Sequence, residues 1–141
     1  MIPTVSENAV LDTNIWLDWL VFNDSSVNPL MQAGLSFVAS QAMRDELRGV
    51  LTRPHFSLSE ERFAECLTRF DQQVAVREAP DYSVTRLRCT DRDDQKFIEL
   101  AVATRAKYLV SRDKALLKLA KRAMREHQLC VVRACHWIDE N

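Results

Sequence analysis

The chain has 141 residues, of which 47% are hydrophobic and 28% charged, and its formal net charge at pH 7 is −1. This length predicts one domain spanning residues 1–141 with a proper core, and the composition is typical of globular proteins. No apolar run approaches the roughly 20 residues of a membrane-spanning helix. The first eleven residues contain no Lys or Arg, whereas secretory signals begin with basic residues. We therefore expect a cytoplasmic protein with no membrane partner.

Charge is unevenly distributed along the chain. Residues 1–43 contain four acids and no Lys or Arg, whereas residues 105–133 contain nine basic residues and two acids. An acidic half beside a basic segment suits a metal site next to a phosphate-binding surface.

The fold follows from alternating strand and helix signals. Only two glycines and four prolines occur, so we expect short loops and many helices. In the first half, the patterns predict a strand over 8–12, helices over 14–22 and 26–33, a strand over 35–39, and helices over 41–53 and from 59 onward. A strand over 74–76 and a polar, turn-rich stretch over 77–93 follow. The second half is predicted to contain a helix over 94–106, a strand over 107–111, a helix over 113–126, a strand over 129–132 and a last turn around Trp137. This alternation predicts a three-layer α/β/α sandwich with a mostly parallel central sheet.

Four acids stand where the carboxyl edge of that sheet is expected: Asp12, Glu46, Asp94 and Asp113. Open α/β sheets bind their ligands at that edge. Two like charges about 4 Å apart repel by roughly 4 kcal/mol at an effective dielectric near 20, so acids gathered there keep a proton or bind a cation. Oxygen-only ligands favour the hard ions Mg²⁺ and Mn²⁺. Alternatively, Asp12 and Asp94 cap helices and Glu46 is a solvated helix acid, and the chemistry alone leaves both interpretations open.

Four segments resemble, in the same order, the motifs of PIN-domain nucleases: residues 10–14 (VLDTN), 40–47 (SQAMRDEL), 91–97 (DRDDQKF) and 110–114 (VSRDK). Each motif alone is weak, but four in order at plausible spacing are strong. The resemblance spans residues 8–138 and is closest to the toxin-component type of prokaryotic PIN proteins (VapC-like).

This resemblance implies a Mg²⁺- or Mn²⁺-dependent endoribonuclease that hydrolyses RNA phosphodiester bonds, and the toxin of a type II toxin–antitoxin pair. The implied partners are an RNA substrate and a cognate antitoxin protein. The implied catalytic residues and metal ligands are Asp12, Glu46, Asp94 and Asp113. The residues that would orient these carboxylates from behind are Thr13, Asn14, Asp91 and Ser111.

The sequence departs from the family pattern at three positions. Gln95 and Ala115 stand where relatives often carry another acid, and Arg112 replaces a common glycine. A second hypothesis is therefore a catalytically degenerate PIN module that binds RNA or a protein partner. A third, aspartyl phosphoryl transfer with Asp12 as nucleophile, lacks the second aspartate expected two residues on, where Asn14 stands.

Two further surfaces are candidates for partners. The helix predicted after Asp113 carries five basic residues spaced to share one face, which predicts RNA binding or simply a solvated face: Lys114, Lys118, Lys121, Arg122 and Arg125. The first helix is apolar around more than one side, which favours contact with a second copy of the chain or with the antitoxin: Trp16, Trp19 and Phe22. We accordingly expect a homodimer.

Overall fold

The computed structural model describes residues 7–76 and 85–136. Within them, five strands form one all-parallel sheet in the order β3-β2-β1-β4-β5. The strands are β1 (Asn8–Leu11), β2 (Ser36–Ala39), β3 (Val74–Val76), β4 (Tyr108–Val110) and β5 (Cys130–Val132). The helices are α1 (Thr13–Leu20), α2 (Asn28–Met31), α3 (Gln41–Leu51), α4 (Glu60–Gln73), α5 (Gln95–Ala103), α6 (Lys114–Leu117) and α7 (Ala120–His127). The predicted parallel sheet is confirmed.

The strand order places a crevice beside β1. From β1 the chain runs outward through β2 to β3, and then returns to β4 on the other side of β1. Right-handed crossovers therefore put α1 to α4 on one face of the sheet and α5 to α7 on the other, which gives three layers. Where the direction reverses, between β1 and β4, the carboxyl ends of the strands open the crevice in which such sheets bind ligands.

Burial on both faces of the sheet explains why the sequences of β1 and β4 are uninterrupted apolar runs. Val10, Leu109 and Val110 are fully buried because helices cover both faces of these central strands. On one face, α5 packs Phe97 and Ile98 against the sheet. On the other face an aromatic cluster forms, in which the ring of Trp16 meets two others edge-on, Phe37 at 5.6 Å and Phe70 at 4.8 Å between centroids.

Local chemistry sets the ends of several helices where the sequence signals placed them. Ser40 caps α3 by accepting from Met43 N at 3.2 Å, and Ser59 caps α4 by accepting from Arg62 N at 3.1 Å. The helix predicted over 94–106 ends earlier, at Ala103. Arg105 takes a left-handed conformation (φ 54°), Ala106 N donates to Ala101 O at 2.8 Å, and Arg105 N donates to Val102 O at 3.1 Å. These are the two hydrogen bonds of a Schellman termination, with arginine in the position that glycine prefers.

The prediction of one continuous helix over 113–126 is wrong. The chain instead forms α6 and α7, which a tighter turn separates at Leu119 (φ −85°, ψ −3°). Leu119 N donates to Leu116 O at 3.0 Å, a spacing of three residues that is typical of a 3₁₀ turn. Tightening brings Leu116 and Leu119 to one side, where both are buried. The five basic residues of this region therefore do not share the face of a single helix.

The aromatic surface predicted on the first helix is also wrong for two of its three residues. Trp16 is buried, and Trp19 is half-buried under the guanidinium of Arg69, 4.2 Å from its ring. Only Phe22, with 57% of its surface exposed, faces solvent. The predicted turn around Trp137 and part of the predicted polar stretch, 77–84, lie outside the described residues. No helix in the described part of the chain combines the length and the apolar composition needed to cross a bilayer.

Candidate metal centre

Asp12 joins the end of β1 to the start of α1. Its Oδ1 accepts from Ile15 N at 3.1 Å, which caps α1, and its Oδ2 accepts a hydrogen bond from Ser111 Oγ. The carboxylate is 3% exposed. Burial raises the pKa of Asp12, while the hydrogen bonds from Ser111, Ile15 and the backbone of Asn14 counteract part of that rise. The cap interpretation of Asp12 is therefore correct, yet the same carboxylate also faces the end of β4.

Ser111 connects the ends of the two central strands. It is fully buried directly after β4, and its Oγ donates to Asp12 while accepting from Asp113 N at 2.9 Å. Residues Leu11 and Val110 are paired in the sheet, so the residues that follow them necessarily lie side by side. A single hydroxyl thus sets the position of Asp12 and of the backbone that carries Asp113.

Three carboxylates converge next to this connection. One oxygen each of Asp91, Asp94 and Asp113 lie within 4.8 Å of one another. Asp91 caps the 3₁₀ turn Arg92–Asp94, and Asp113 caps α6 by accepting from Ala115 N at 2.7 Å. Asp94 precedes α5 but its side chain makes no capping hydrogen bond, so the cap interpretation of Asp94 is wrong. Asp12 is not one of these three, but its charge contributes to the raised pKa of Asp94. We call Asp12, Asp91, Asp94 and Asp113 the acidic centre.

Burial and the neighbouring carboxylates of the acidic centre raise the pKa of one member, Asp94. Burial, contact with the Asp113 carboxyl, and the charges of Asp113, Asp91 and Asp12, in that order, raise the pKa of Asp94 to about 7. The centre therefore binds a proton more readily than isolated aspartates do. A divalent cation that replaced this proton would remove the repulsion among the carboxylates.

Glu46 lies apart from the three converging carboxylates. It is half-buried on α3, and its Oε2 lies 2.7 Å from Lys96 Nζ. This contact is an ion pair that lacks hydrogen-bond geometry, because Glu46 Oε2 is buried with no hydrogen-bond partner. The interpretation of Glu46 as a solvated helix acid is therefore wrong.

A buried oxygen without a hydrogen bond is a direct test of whether a cation fits. Among the described residues two side-chain atoms are in this state, and both belong to predicted metal ligands: Glu46 Oε2 and Asp94 Oδ2. Native proteins pair nearly all buried polar groups. Lys96 gives Glu46 Oε2 an ionic contact, whereas Asp94 Oδ2 has no partner among the described residues, so Asp94 Oδ2 is the oxygen that calls for a cation. All donors are carboxylate oxygens, which is the chemistry that Mg²⁺ and Mn²⁺ prefer.

The four residues predicted to orient the carboxylates make different contacts. Ser111 contacts Asp12 as predicted, whereas Asp91 is itself one of the three converging carboxylates. Asn14 contributes its backbone N–H rather than its amide, since that group is what lowers the pKa of Asp12. Within residues 7–76 and 85–136, no hydrogen bond joins the side chain of Thr13 or Asn14 to a carboxylate of the centre.

The structure explains why position 95 holds a glutamine rather than an acid. Gln95 Oε1 accepts from Cys89 N at 2.6 Å, and its Nε2 donates to Leu87 O at 3.0 Å and to Glu99 Oε1 at 3.2 Å. A glutamate here would lose both donations and would face Glu99 and a carbonyl oxygen with a negative charge. Gln95 therefore fastens the extended segment before the centre to α5, a role that an acid could not fill.

Three further residues near the centre were not predicted from the sequence. Lys96 pairs with Glu46, and the only signal for it is a lone lysine after three acids in four positions. Arg112 donates to Asp18 at 2.7 Å, which ties the loop after β4 to α1. Burial, together with the charges of Asp94, Asp113 and Asp91, raises the pKa of the Cys89 thiol, so this buried thiol adjoins the centre. No spacing pattern in the chain indicates the last two.

The basic residues predicted to bind RNA are distributed over α6, the turn after it and α7. All five are exposed: Lys114, Lys118, Lys121, Arg122 and Arg125. Arg122 pairs with Glu126 at 3.1 Å on the same helix, a solvent-exposed contact that leaves the charge accessible. Lys114 directly follows Asp113, so this basic surface begins at the acidic centre.

Comparison with known proteins now identifies the family. A family model described as PIN domain matches residues 8–115, well over half of the chain. The chain belongs to the PIN domain family. The matched segment contains every residue of the acidic centre, and the PIN resemblance noted in the sequence is confirmed. PIN domains are generally nucleases, which makes the chain a member of a nuclease family.

A solved structure shows the same PIN fold. The structure of VapBC2 from Rickettsia felis, bound to a DNA fragment from the promoter, superposes with a TM-score of 0.61 at 18% sequence identity. The alignment covers 88% of this chain and 96% of that one. Likeness at this identity establishes the shared fold and confirms the predicted α/β/α class. Among curated proteins no sequence matches the chain.

Proposed function

We propose that this PIN domain is a Mg²⁺- or Mn²⁺-dependent endoribonuclease and the toxin of a type II toxin–antitoxin pair. The observation that carries the proposal is the acidic centre at the carboxyl ends of β1 and β4, where one oxygen each of three carboxylates lie within 4.8 Å of one another and the pKa of Asp94 is raised to about 7. Carboxylates forced together at a sheet's ligand-binding edge are explained by a cation that the site binds.

The residues of the chain have distinct parts in this chemistry. Asp12, Asp94 and Asp113 would hold the ion, with Asp91 beside them and Glu46 on the side of α3. A bound divalent ion activates a water molecule and stabilises the charge that develops on phosphate oxygens. Ser111 keeps Asp12 and Asp113 in register by its two hydrogen bonds. Arg112 anchors the loop that carries Asp113 to α1 through Asp18.

The choice of RNA as the substrate is supported by the basic surface that begins at Lys114. Phosphate backbones are bound mainly by Lys and Arg, and all five basic residues of this surface are exposed, with Lys114 directly following Asp113 in the chain. A ribonuclease that acts on cellular transcripts would work in the cytoplasm, which agrees with the location that we predict from the sequence.

The toxin assignment is supported by the VapBC2 complex, which has the same fold. Phe22, Val76 and Met124 are the large apolar side chains that the described residues expose, at 57%, 44% and 48%. They lie on different parts of the fold, and single apolar side chains are common at protein surfaces, so they do not define an interface. We propose both an antitoxin complex and a homodimer as assemblies of this chain.

Replacement of Asp12 tests the proposal. Asp12→Asn keeps the size and a hydrogen-bonding oxygen for the cap of α1 but removes the charge, so we expect Mg²⁺- or Mn²⁺-dependent RNA cleavage to be abolished while the fold is kept. Asp45→Asn is the matched control, because Asp45 is an exposed acid on α3 that bonds only Gln41 among the described residues. Cleavage by the Asp12→Asn protein at the rate of the control would sink the assignment.

Titration with Mn²⁺ separates the nuclease from a degenerate PIN module. Positions 95 and 115 hold no carboxylate, and Gln95 is occupied by structural hydrogen bonds, so the alternative of a module that only binds RNA or protein predicts weak metal binding. Calorimetry should show saturable Mn²⁺ binding to the unmodified chain and its loss in Asp12→Asn. Absence of binding to the unmodified chain would favour the degenerate module.

A further inference from the structure

Lys96 is held at the centre by two oxygen contacts. It lies in the first turn of α5, two positions after Asp94, and its Nζ lies 2.7 Å from Glu46 Oε2. The same ammonium group donates a hydrogen bond to the carbonyl of Asp93. That carbonyl belongs to the peptide unit leading into Asp94, so the ammonium is held between α3 and the turn that carries Asp94.

The pair of Lys96 with Glu46 differs from an ordinary surface ion pair. The Lys96 and Glu46 side chains are 25% and 36% exposed, and Lys96 Nζ lies 4.8 Å from the centroid of the buried Phe97 ring. By contrast, a second Lys–Glu pair in the described part of the chain, Lys107 with Glu7, has a separation of 3.1 Å and exposures of 52% and 49%. Lys107 lies just before β4, at the opposite edge of the sheet. The ammonium of Lys96 is thus fixed and partly desolvated, which strengthens its field.

Glu46 contacts this ammonium and lies apart from the acidic centre. Its buried Oε2 has no hydrogen bond and faces only the charge of Lys96. Paired ions in two-metal sites lie roughly 3.5–4 Å apart and are bridged or flanked by carboxylates. An ion bound at Glu46 would have to displace the ammonium from a contact of 2.7 Å. The lysine therefore occupies the place beside Glu46 that a second ion would need.

We propose that Lys96 is the second cation of the site, and this rests on the proposed function. The centre would hold one divalent ion, at Asp12, Asp94 and Asp113, and the Lys96 ammonium contacts a non-bridging oxygen of the phosphate that is cut. A water molecule gives up one proton to solvent as its oxygen bonds to phosphorus, the ester P–O bond breaks, and the departing oxygen takes a proton from solvent. Lys96 stays protonated throughout and stabilises the growing negative charge as a fixed point charge.

Counting bound ions tests this role without relying on activity. Mn²⁺ titration, followed by calorimetry and by electron paramagnetic resonance of the bound ion, should give one ion per unmodified chain. Lys96→Met removes the charge and keeps the length of the side chain, so Glu46 becomes available and the count should rise to two. Lys96→Arg keeps the charge and should leave the count at one. Lys107→Met is the matched control and should also leave it at one.

Cleavage kinetics supply the second readout. At Mn²⁺ concentrations that fill only the first site, loss of one fixed charge at the phosphate should lower kcat by about 100-fold in Lys96→Met, whereas Lys96→Arg should stay within about tenfold of the unmodified chain. Lys107→Met should match the unmodified chain, and all three variants should unfold at similar temperatures.

The outcomes separate this inference from the proposed function. Two ions in the unmodified chain, or an unchanged count and kcat in Lys96→Met, would overturn the role of Lys96 and leave a metal-dependent ribonuclease in place. An unmodified chain that binds no Mn²⁺ and cuts no RNA would instead refute the proposed function, and the role of Lys96 with it.

Discussion

At the scale of single residues, Asp94 makes the acidic centre sensitive to pH. Its pKa of about 7 lies above the ordinary value of 3.8 because burial and the neighbouring acids disfavour its charge. The folded chain therefore binds this proton more tightly than the unfolded chain does between these two values. Where the folded state binds more protons, the free energy of unfolding falls as pH rises.

We predict that the metal-free protein becomes less stable as pH rises from about 4 to about 7. Urea unfolding in the presence of a chelator measures this, with Asp94→Asn as the comparison because an amide cannot take part in the titration. The fall should be smaller in Asp94→Asn than in the unmodified chain. Equal falls in the two proteins would contradict the assignment of the raised pKa to Asp94.

The residues around the acidic centre also show what a sequence can predict about a site and what it cannot. Strand-end position located Asp12 and Asp113, because parallel strands must end at one edge. It could not show that Ser111 joins the two, since that depends on the register of Leu11 with Val110. Nor could it show that Glu46 is paired with Lys96, because no rule of spacing brings α3 next to α5.

At the scale of elements, the pair Arg112–Asp18 fastens the loop after β4 to α1. The Asp18 side chain is 9% exposed and that of Arg112 is 49% exposed, with 2.7 Å between the paired atoms. Burial raises the pKa of Asp18, and the charge of Arg112 offsets part of this effect. Arginine in place of the family's common glycine is thus explained by an acid on the facing helix.

We predict that Arg112→Ala destabilises the chain by about 1–3 kcal/mol, because it leaves the buried Asp18 carboxylate without a partner. Adding Asp18→Asn should restore most of the loss, as a double-mutant cycle measured by urea unfolding would show. Arg122→Ala is a matched control, since Arg122 is equally exposed but pairs with the more exposed Glu126. Its cost should stay within about 0.5 kcal/mol, and an equal cost for both arginines would contradict the prediction.

The sequence predicts helices and strands correctly where local signals determine them. Apolar runs gave all five strands, and Ser40 and Ser59 marked the starts of α3 and α4. The division between α6 and α7 did not follow, because it results from burying Leu116 and Leu119 on the same side of the sheet. Propensity alone favours a continuous helix there, and tertiary packing overrides it.

At the scale of the whole molecule, negative and positive surfaces meet at one edge of the sheet. The acidic centre lies at the ends of β1 and β4, and the basic surface continues from Lys114 over α7. An RNA strand bound along the basic surface would lead one of its phosphates to the centre, although the formal net charge of the chain is only −1. Local distribution, rather than net charge, sets the affinity for phosphate.

We predict that Lys118→Ala/Lys121→Ala weakens RNA binding and lowers the slope of log affinity against log salt by about 1 to 2, since each phosphate contact on a single strand contributes about 0.7. Binding should be measured in the Asp12→Asn background so that the RNA stays intact. Lys107→Ala, at the opposite edge of the sheet, should leave the slope unchanged. An unaltered slope in the double variant would mean that the basic residues form only a solvated face.

The hydrogen bond between Ser111 and Asp12 spans 99 positions of the chain. On the ribosome, Asp12 is synthesised early, but it has no partner until the strand on its far side has been made and has left the exit tunnel. A nascent chain therefore carries no assembled centre until the segment that contains Ser111 has emerged. The topology that creates the centre thus also delays its assembly during synthesis.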